Sequence, residues 1–168
     1  MRYAQIRNAD VLNGTGIGCT LFVQGCPFYC KGCFNSIAWD FNGGKEWTQE
    51  VEDSFLEMID KPYIQRVTIL GGEPLANQNV GTVLALIKRI KERFPDKAIW
   101  FYSGFYLDEI ITDPIRLETV RLCDVLCDGR FEITKKDPSL KFVGSSNQRV
   151  IDMKKTLEKG YIVLVNLN

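Results

Sequence analysis

The sequence predicts an α/β fold in which βαβ crossovers build a mainly parallel sheet. Three observations predict it: short apolar runs bounded by glycine, amphipathic segments at helical spacing, and the alternation of the two along the chain. "CTLFVQG" (Cys19 to Gly25) reads as a buried strand. A cysteine-rich loop follows it. Thr48 then marks an N-cap, and Val51, Phe55, Met58 and Ile59 share one face of a helix ending near Asp60. "RVTIL" (Arg66 to Leu70) is the second strand, closed by Gly71-Gly72. Val80, Val83, Leu84, Ile87, Ile90 and Phe94 recur at helical spacing opposite a charged face, and Pro95 stops that helix. "AIWFYSG" (Ala98 to Gly104) is the third strand. Asp113-Pro114 pairs an N-cap with a first-turn proline and starts a helix to about Leu122. "DVLCDG" (Asp124 to Gly129) is the fourth strand. A polar stretch runs to about Gln148. A short strand near Val150, a helical turn near Lys154 to Lys159 and a last strand at Tyr161 to Val165 end the chain.

Ligands of such sheets bind beyond the carboxyl ends of the parallel strands. The cysteine loop, Gly71-Gly72-Glu73-Pro74 and Ser103-Gly104 each follow a strand, so they are expected on one rim. Asp128-Gly129-Arg130 belongs to the same rim, where Asp128 either binds a polar ligand group or caps a turn.

The chain has 168 residues, one domain's worth, and we take residues 1–168 as a single domain. Lys plus Arg is 21 and Asp plus Glu is 21, so no basic excess marks a nucleic-acid binder. The longest apolar run noted, Tyr161 to Val165, is too short to span a bilayer. "MRYAQIRNAD" has no apolar core of a signal peptide, which gives the expectation of a cytoplasmic protein. There is no histidine, so imidazole acid–base chemistry and every Cys/His zinc site are excluded.

Six cysteines remain, and in a reducing compartment they point to metal binding or catalysis. Cys26, Cys30 and Cys33 form C-x3-C-x2-C in "GCPFYCKGCFN" (Gly25 to Asn35). Three thiolates on such spacings can hold three irons of a cubane cluster and leave the fourth iron open for a ligand. An electron-transfer cluster normally closes that position with a fourth cysteine. A structural zinc site would also need a fourth thiolate, from Cys19, Cys123 or Cys127. The bland reading makes those three buried small hydrophobes. "NGTGIG" (Asn13 to Gly18) precedes a strand instead of following one, so it reads as a loop and not a phosphate cradle. Gly71 and Gly72 allow close approach to the backbone, and Glu73 is a carboxylate that can accept from a cationic amine.

C-x3-C-x2-C followed about forty residues later by Gly-Gly-Glu-Pro resembles the radical S-adenosylmethionine superfamily. "NGTGIGCTLFVQGCPFYCKGCFN", "WDFNGGKEWT", "ILGGEP", "IWFYSGF", "CDGRFE", "DPSL" and "FVGSSNQRVID" resemble the branch that activates anaerobic ribonucleotide reduction. Relatives often carry Arg where this chain has Gly18. The resemblance implies an incomplete parallel (β/α) barrel. It implies a 4Fe-4S cluster on Cys26, Cys30 and Cys33, and S-adenosylmethionine bound through its amino and carboxylate groups at the open iron. Gly71, Gly72 and Glu73 would line the methionine end, Gly32 and Phe34 would flank the third ligand Cys33 and touch the cofactor, and Ser103 and Gly104 would join the same pocket. Reductive cleavage would give methionine and a 5′-deoxyadenosyl radical, which takes hydrogen from a glycine of the large subunit of an anaerobic ribonucleoside-triphosphate reductase. A low-potential donor such as a flavodoxin would supply the electron. No catalytic residue is implied beyond cluster and cofactor, because the cofactors carry the hard chemistry. Two alternatives stay open: an activase of a formate-lyase type enzyme, and a zinc-stabilised binding module without turnover.

Overall fold

The computed structural model describes residues 1–168. Its elements are β1 (Arg2–Asp10), β2 (Gly18–Val23), β3 (Lys45–Glu46), α1 (Gln49–Ile59), β4 (Arg66–Gly71), α2 (Val80–Arg93), β5 (Ala98–Ser103), α3 (Leu107–Ile110), α4 (Pro114–Arg121), β6 (Val125–Asp128), β7 (Arg149–Asp152) and α5 (Met153–Lys159). All seven strands belong to one sheet in the order β3-β1-β2-β4-β5-β6-β7. The four middle strands, β2, β4, β5 and β6, run parallel. The outer strands β1, β3 and β7 run antiparallel to their neighbours.

Alternation along the middle strands assigns the two faces of the sheet. Cys19, Leu21 and Val23 of β2, Val67 and Ile69 of β4, Ile99 and Phe101 of β5, and Leu126 of β6 join the main core with residues of all five helices. The expected stripe of α2 is buried along its whole length, from Val80 to Ile90 and on to Phe94. Its N-terminal neighbour α1 is turned slightly from expectation: Glu52, Phe55, Leu56 and Ile59 face inward, while Val51 and Met58 are half-buried. Glu52 tolerates burial because the Trp47 indole donates to it at 3.0 Å and Arg89 pairs with it.

The second face is more polar. Arg66 of β4, 1% exposed, donates to the Asp10 carbonyl at 2.9 Å, to Thr68 Oγ1 at 2.6 Å and to the Thr15 carbonyl at 3.1 Å. Its guanidinium also pairs with the Asp10 carboxylate at 3.4 Å, and a buried charge needs such partners. A Cβ built on Gly18 would lie 2.4 Å from Arg66 Nη1. The Arg66 side chain therefore fills the space beside Gly18, and the "NGTGIG" loop lies across it, with the Thr15 carbonyl on Arg66 and the Asn13 carbonyl on Thr68 Oγ1. Farther along this face, Trp100, Cys127 and Val150 pack with Phe142, Val143, Val165 and Leu167.

Four elements depart from expectation, the smallest being β3, a two-residue strand that exists only by pairing with β1. β1 was not foreseen; its half-exposed, largely polar residues carry no clean alternation, and pairing with β2 makes it a strand. α3 is a single short turn, and its first backbone N–H, from Leu107, is capped by Asp128 at 2.7 Å. The last strand, expected at Tyr161 to Val165, reduces to an isolated bridge between Ile151 and Leu164.

Candidate active site

The four parallel strands end level with one another. Val23 pairs with Gly71, and Ser103 pairs with Asp128. The segments that leave these ends meet at a cavity of about 340 Å³. It is lined by Cys26, Cys30, Gly32, Cys33 and Phe34 of the cysteine loop, by Gly71, Gly72 and Glu73, and by Ser103 and Gly104. Every site residue expected from sequence thus reaches one space.

The cysteine loop is held at its base. Gly25 N donates to the Ala38 carbonyl at 2.8 Å, Cys26 N to the Trp39 carbonyl at 3.0 Å, and Gln24 Nε2 to the Ile37 and Asp40 carbonyls. Tyr29 and Gly32 adopt left-handed conformations, at φ +49° and +77°, and turn the loop back on itself. Cys26, Cys30 and Cys33 are all partly exposed. Burial pushes Cys26 up to about 11, and burial with the neighbouring Cys33 raises Cys30. Thiols so placed ionise when a cation takes up their charge, which is the chemistry of a metal or cluster site.

The fourth thiolate of a zinc site is not at hand. Cys19 lies near the start of β2, in the main core, 0% exposed. Cys123 is buried beneath Thr119, whose carbonyl accepts from its thiol at 3.4 Å. Cys127 reaches the cavity, but on the sheet side, in the apolar cluster with Trp100 and Val150. The donor set present at the loop is three thiols on short spacings, which fits a cubane cluster with one iron left open.

Gly71 and Gly72 owe their identity to the protein's own backbone. Gly71 has φ +118°, and a Cβ there would lie 2.5 Å from Val23 N. A Cβ on Gly72 would lie 2.3 Å from the Gly25 carbonyl oxygen and 2.9 Å from that of Ala38. The close approach expected for a ligand is made first by β2 and the cysteine loop, and Gly72 N and Glu73 N donate to Val23 and Gly25 at 2.8 and 2.7 Å. The two glycines thereby bolt the cysteine loop to the end of β4.

Glu73 is 1% exposed and binds three donors: Leu75 N at 2.8 Å, Ser103 Oγ at 2.9 Å and Gly104 N at 2.7 Å. It joins the exits of β4 and β5. Burial pushes its carboxyl up to about 7, against those hydrogen bonds. A carboxyl pKa raised on folding, from 4.5 to about 7, adds stability at acid pH that is lost as pH rises through 7. Urea melts are therefore expected to show the unliganded protein losing about 2–3 kcal/mol between pH 5 and pH 8. Glu73→Gln should be flat over that range and weaker at pH 5, because its amide nitrogen must face a donor.

Residues behind and beside the rim complete the site, and of these Asn79 was not marked by sequence. Asn79, 1% exposed, donates to the Gln24 and Glu73 carbonyls, both at 3.0 Å, and ties the two exits together. Arg130 stacks on Phe28 at 4.4 Å and pairs with Glu109 at 2.8 Å. "GSSNQR" clasps the end of β6: Gln148 donates to the Gly129 carbonyl at 2.9 Å and Asn147 to that of Arg130 at 2.7 Å. Asp128 is fully buried on Leu107 N and Arg149, so it serves the turn and does not line the cavity. Phe34 stands 85% exposed at the mouth. Charged partners at long range, as at Arg149 and Asp128, leave no periodic trace in a sequence.

Comparison with known proteins identifies the family. The family model described as "4Fe-4S single cluster domain" matches residues 12–151. A protein of Salmonella typhi named anaerobic ribonucleoside-triphosphate reductase-activating protein is 43% identical over 152 residues, covering 89% of this chain and 97% of that one. Proteins of the same name from Escherichia coli K12 and Enterobacteria phage T4 are 41% and 36% identical, over 89% of this chain and 97% and 93% of theirs. A match across residues 12–151 and identities near 40% over most of both chains leave one conclusion: the chain belongs to the family of anaerobic ribonucleoside-triphosphate reductase-activating proteins and carries its 4Fe-4S domain.

Proposed function

We propose that this chain, as one domain over residues 1–168, is a radical S-adenosylmethionine activase that installs a glycyl radical in the large subunit of an anaerobic ribonucleoside-triphosphate reductase. The single observation that carries the reading is the meeting of three partly exposed cysteines with the β4 and β5 exits in one cavity. The sheet is then the incomplete parallel barrel of that superfamily, closed on its cavity side by residues 130–148. A cluster held by Cys26, Cys30 and Cys33 would supply one-electron reductive cleavage of S-adenosylmethionine to methionine and the 5′-deoxyadenosyl radical that takes the glycine hydrogen.

The chain's own residues bind, orient and shield. Cys26, Cys30 and Cys33 hold the cluster. Gly71 and Gly72 fix the loop that carries them, and Glu73 with Ser103 and Gly104 builds the wall at the methionine end. Gly32 and Phe34 border the mouth, where the glycine-bearing segment enters. The exposed loop also admits a low-potential electron donor such as a flavodoxin. Equal numbers of acidic and basic residues support a partner other than nucleic acid. Six free thiols suit the reducing cytoplasm, and no helix is long and apolar enough to cross a membrane.

The test is electron paramagnetic resonance of the cluster-loaded protein mixed anaerobically with S-adenosylmethionine, a reductant and the purified large subunit. The expected signal is a glycyl doublet on that subunit. A doublet formed only on a formate-lyase type partner would contradict the assignment.

A further inference from the structure

The two most exposed large apolar side chains of the protein lie three residues apart, on the limb of the cysteine loop that returns to the sheet: Phe34 at 85% and Ile37 at 83%. Each borders a different cavity. Phe34 stands at the mouth of the main one, with Trp39. Ile37 lines a second cavity, of about 280 Å³, with Asn35, Gly44, Ala4 and Gln5 of β1, and Phe22 of β2. The short turn Ser36–Ala38 is the ridge between the two. It is held from below, where the Ile37 carbonyl accepts from Gln24 Nε2 at 3.1 Å and the Ala38 carbonyl from Gly25 N at 2.8 Å. Gln5 and Phe22 are partners across β1 and β2, while β3 covers β1 only at Arg2 and Tyr3. The sheet edge beside the second cavity is therefore open.

We propose that this ridge docks the large subunit, with an apolar side chain of the glycine-bearing segment seated against Ile37 in the second cavity. The inference rests on the reading of the chain as a glycyl-radical activase. A radical formed in the main cavity takes only a hydrogen brought into contact with it, so the partner's backbone comes to the mouth and covers Phe34. The ridge is a single tight turn about 6 Å long, which an extended chain crosses in two or three residues. A segment that leaves the mouth on this side passes over Ile37 and reaches the second cavity. Charge selects the partner. Phe34 to Trp39 carries no charged residue, and neither does the lining of the second cavity. An electron carrier steered by charge finds nothing to complement here. A neutral extended segment finds apolar contact at Phe34 and Ile37, and backbone partners on the open edge of β1.

The test measures anaerobic binding of the purified large subunit to cluster-loaded wild type, Ile37→Ser, Ile37→Leu and Leu157→Ser by calorimetry. Ile37→Ser should weaken binding roughly tenfold, the scale of losing one buried apolar side chain, and Ile37→Leu should keep most of the affinity. Leu157→Ser, an exposed position on α5, should bind like wild type. The glycyl doublet with Ile37→Ser should recover at high large-subunit concentration. Its iron content, and the 5′-deoxyadenosine formed without the large subunit, should match wild type. Undiminished affinity in Ile37→Ser overturns the inference. So does an equal loss in Leu157→Ser, a fall in iron content or in cleavage without the large subunit, or slower reduction by a protein electron donor at unchanged affinity. A dimeric wild type beside a monomeric Ile37→Ser, again at unchanged affinity, assigns the ridge to a second copy and overturns it too. A wild type that neither binds nor activates the large subunit overturns the proposed function and this inference with it.

Discussion

Cys26→Ala is expected to yield a folded protein that takes up no cluster on anaerobic reconstitution with iron and sulfide. Its visible absorbance and iron content should fall to background, and 5′-deoxyadenosine production with them. Cys26 lines the cavity on the strand-end side, where its amide is fixed by the Trp39 carbonyl, so no other thiol can take its place. Cys19→Ala makes the opposite case. That side chain is buried among Leu21, Val67 and Ile99 on the helix side of the sheet. Its loss should cost about 1 kcal/mol of stability and leave the iron content intact. Equal loss of iron in the two variants would revive a four-cysteine site.

Gly71→Ala should cost about 3–5 kcal/mol, enough to lower the melting temperature by roughly 10 °C in a chain of this size. Two effects add. The residue sits at φ +118°, and its new methyl would lie 2.5 and 2.6 Å from the backbone N and O of Val23. Backbone atoms of a central strand have no rotamer with which to yield. Gly81→Ala is the control. It lies on the exposed side of α2 with nothing within 4 Å, and should stabilise by up to about 1 kcal/mol. Thermal melts of the three proteins settle the comparison. A Gly71→Ala protein that melts with wild type would show that β2 and β4 can separate without cost.

The middle of the fold was legible because its signals are local. "RVTIL" and "AIWFYSG" are continuous apolar runs, and both are central parallel strands. Thr48 and Asp113-Pro114 start helices where the capping chemistry says they should. The edges were not legible. β1 is stabilised by its pairing with β2, and nothing in "RYAQIRNAD" announces that partner. Tyr161 to Val165 has strand-like residues, yet it meets β7 only through one bridge and two backbone hydrogen bonds.

The site divides the same way. Rim positions follow from strand ends, so all ten expected residues fall on the cavity. What each glycine is close to does not follow, because sequence marks close approach without naming the approaching group. For Gly71 and Gly72 it is the neighbouring strand and the cysteine loop. Tyr102 and Cys127, on the sheet side of the cavity, escaped for a related reason. Alternation assigns them to a face, but what covers that face is set by residues 130–148 and the chain's C-terminal end.

The central claim is that three cysteines hold a cluster whose open iron meets S-adenosylmethionine in this cavity. The direct measurement is the yield of 5′-deoxyadenosine and methionine when the reconstituted protein is reduced anaerobically with S-adenosylmethionine. The account predicts both products in equal amounts, dependent on reductant and absent from Cys26→Ala. Tight binding of zinc alone, with no 5′-deoxyadenosine from an iron-loaded and reduced protein, would contradict it.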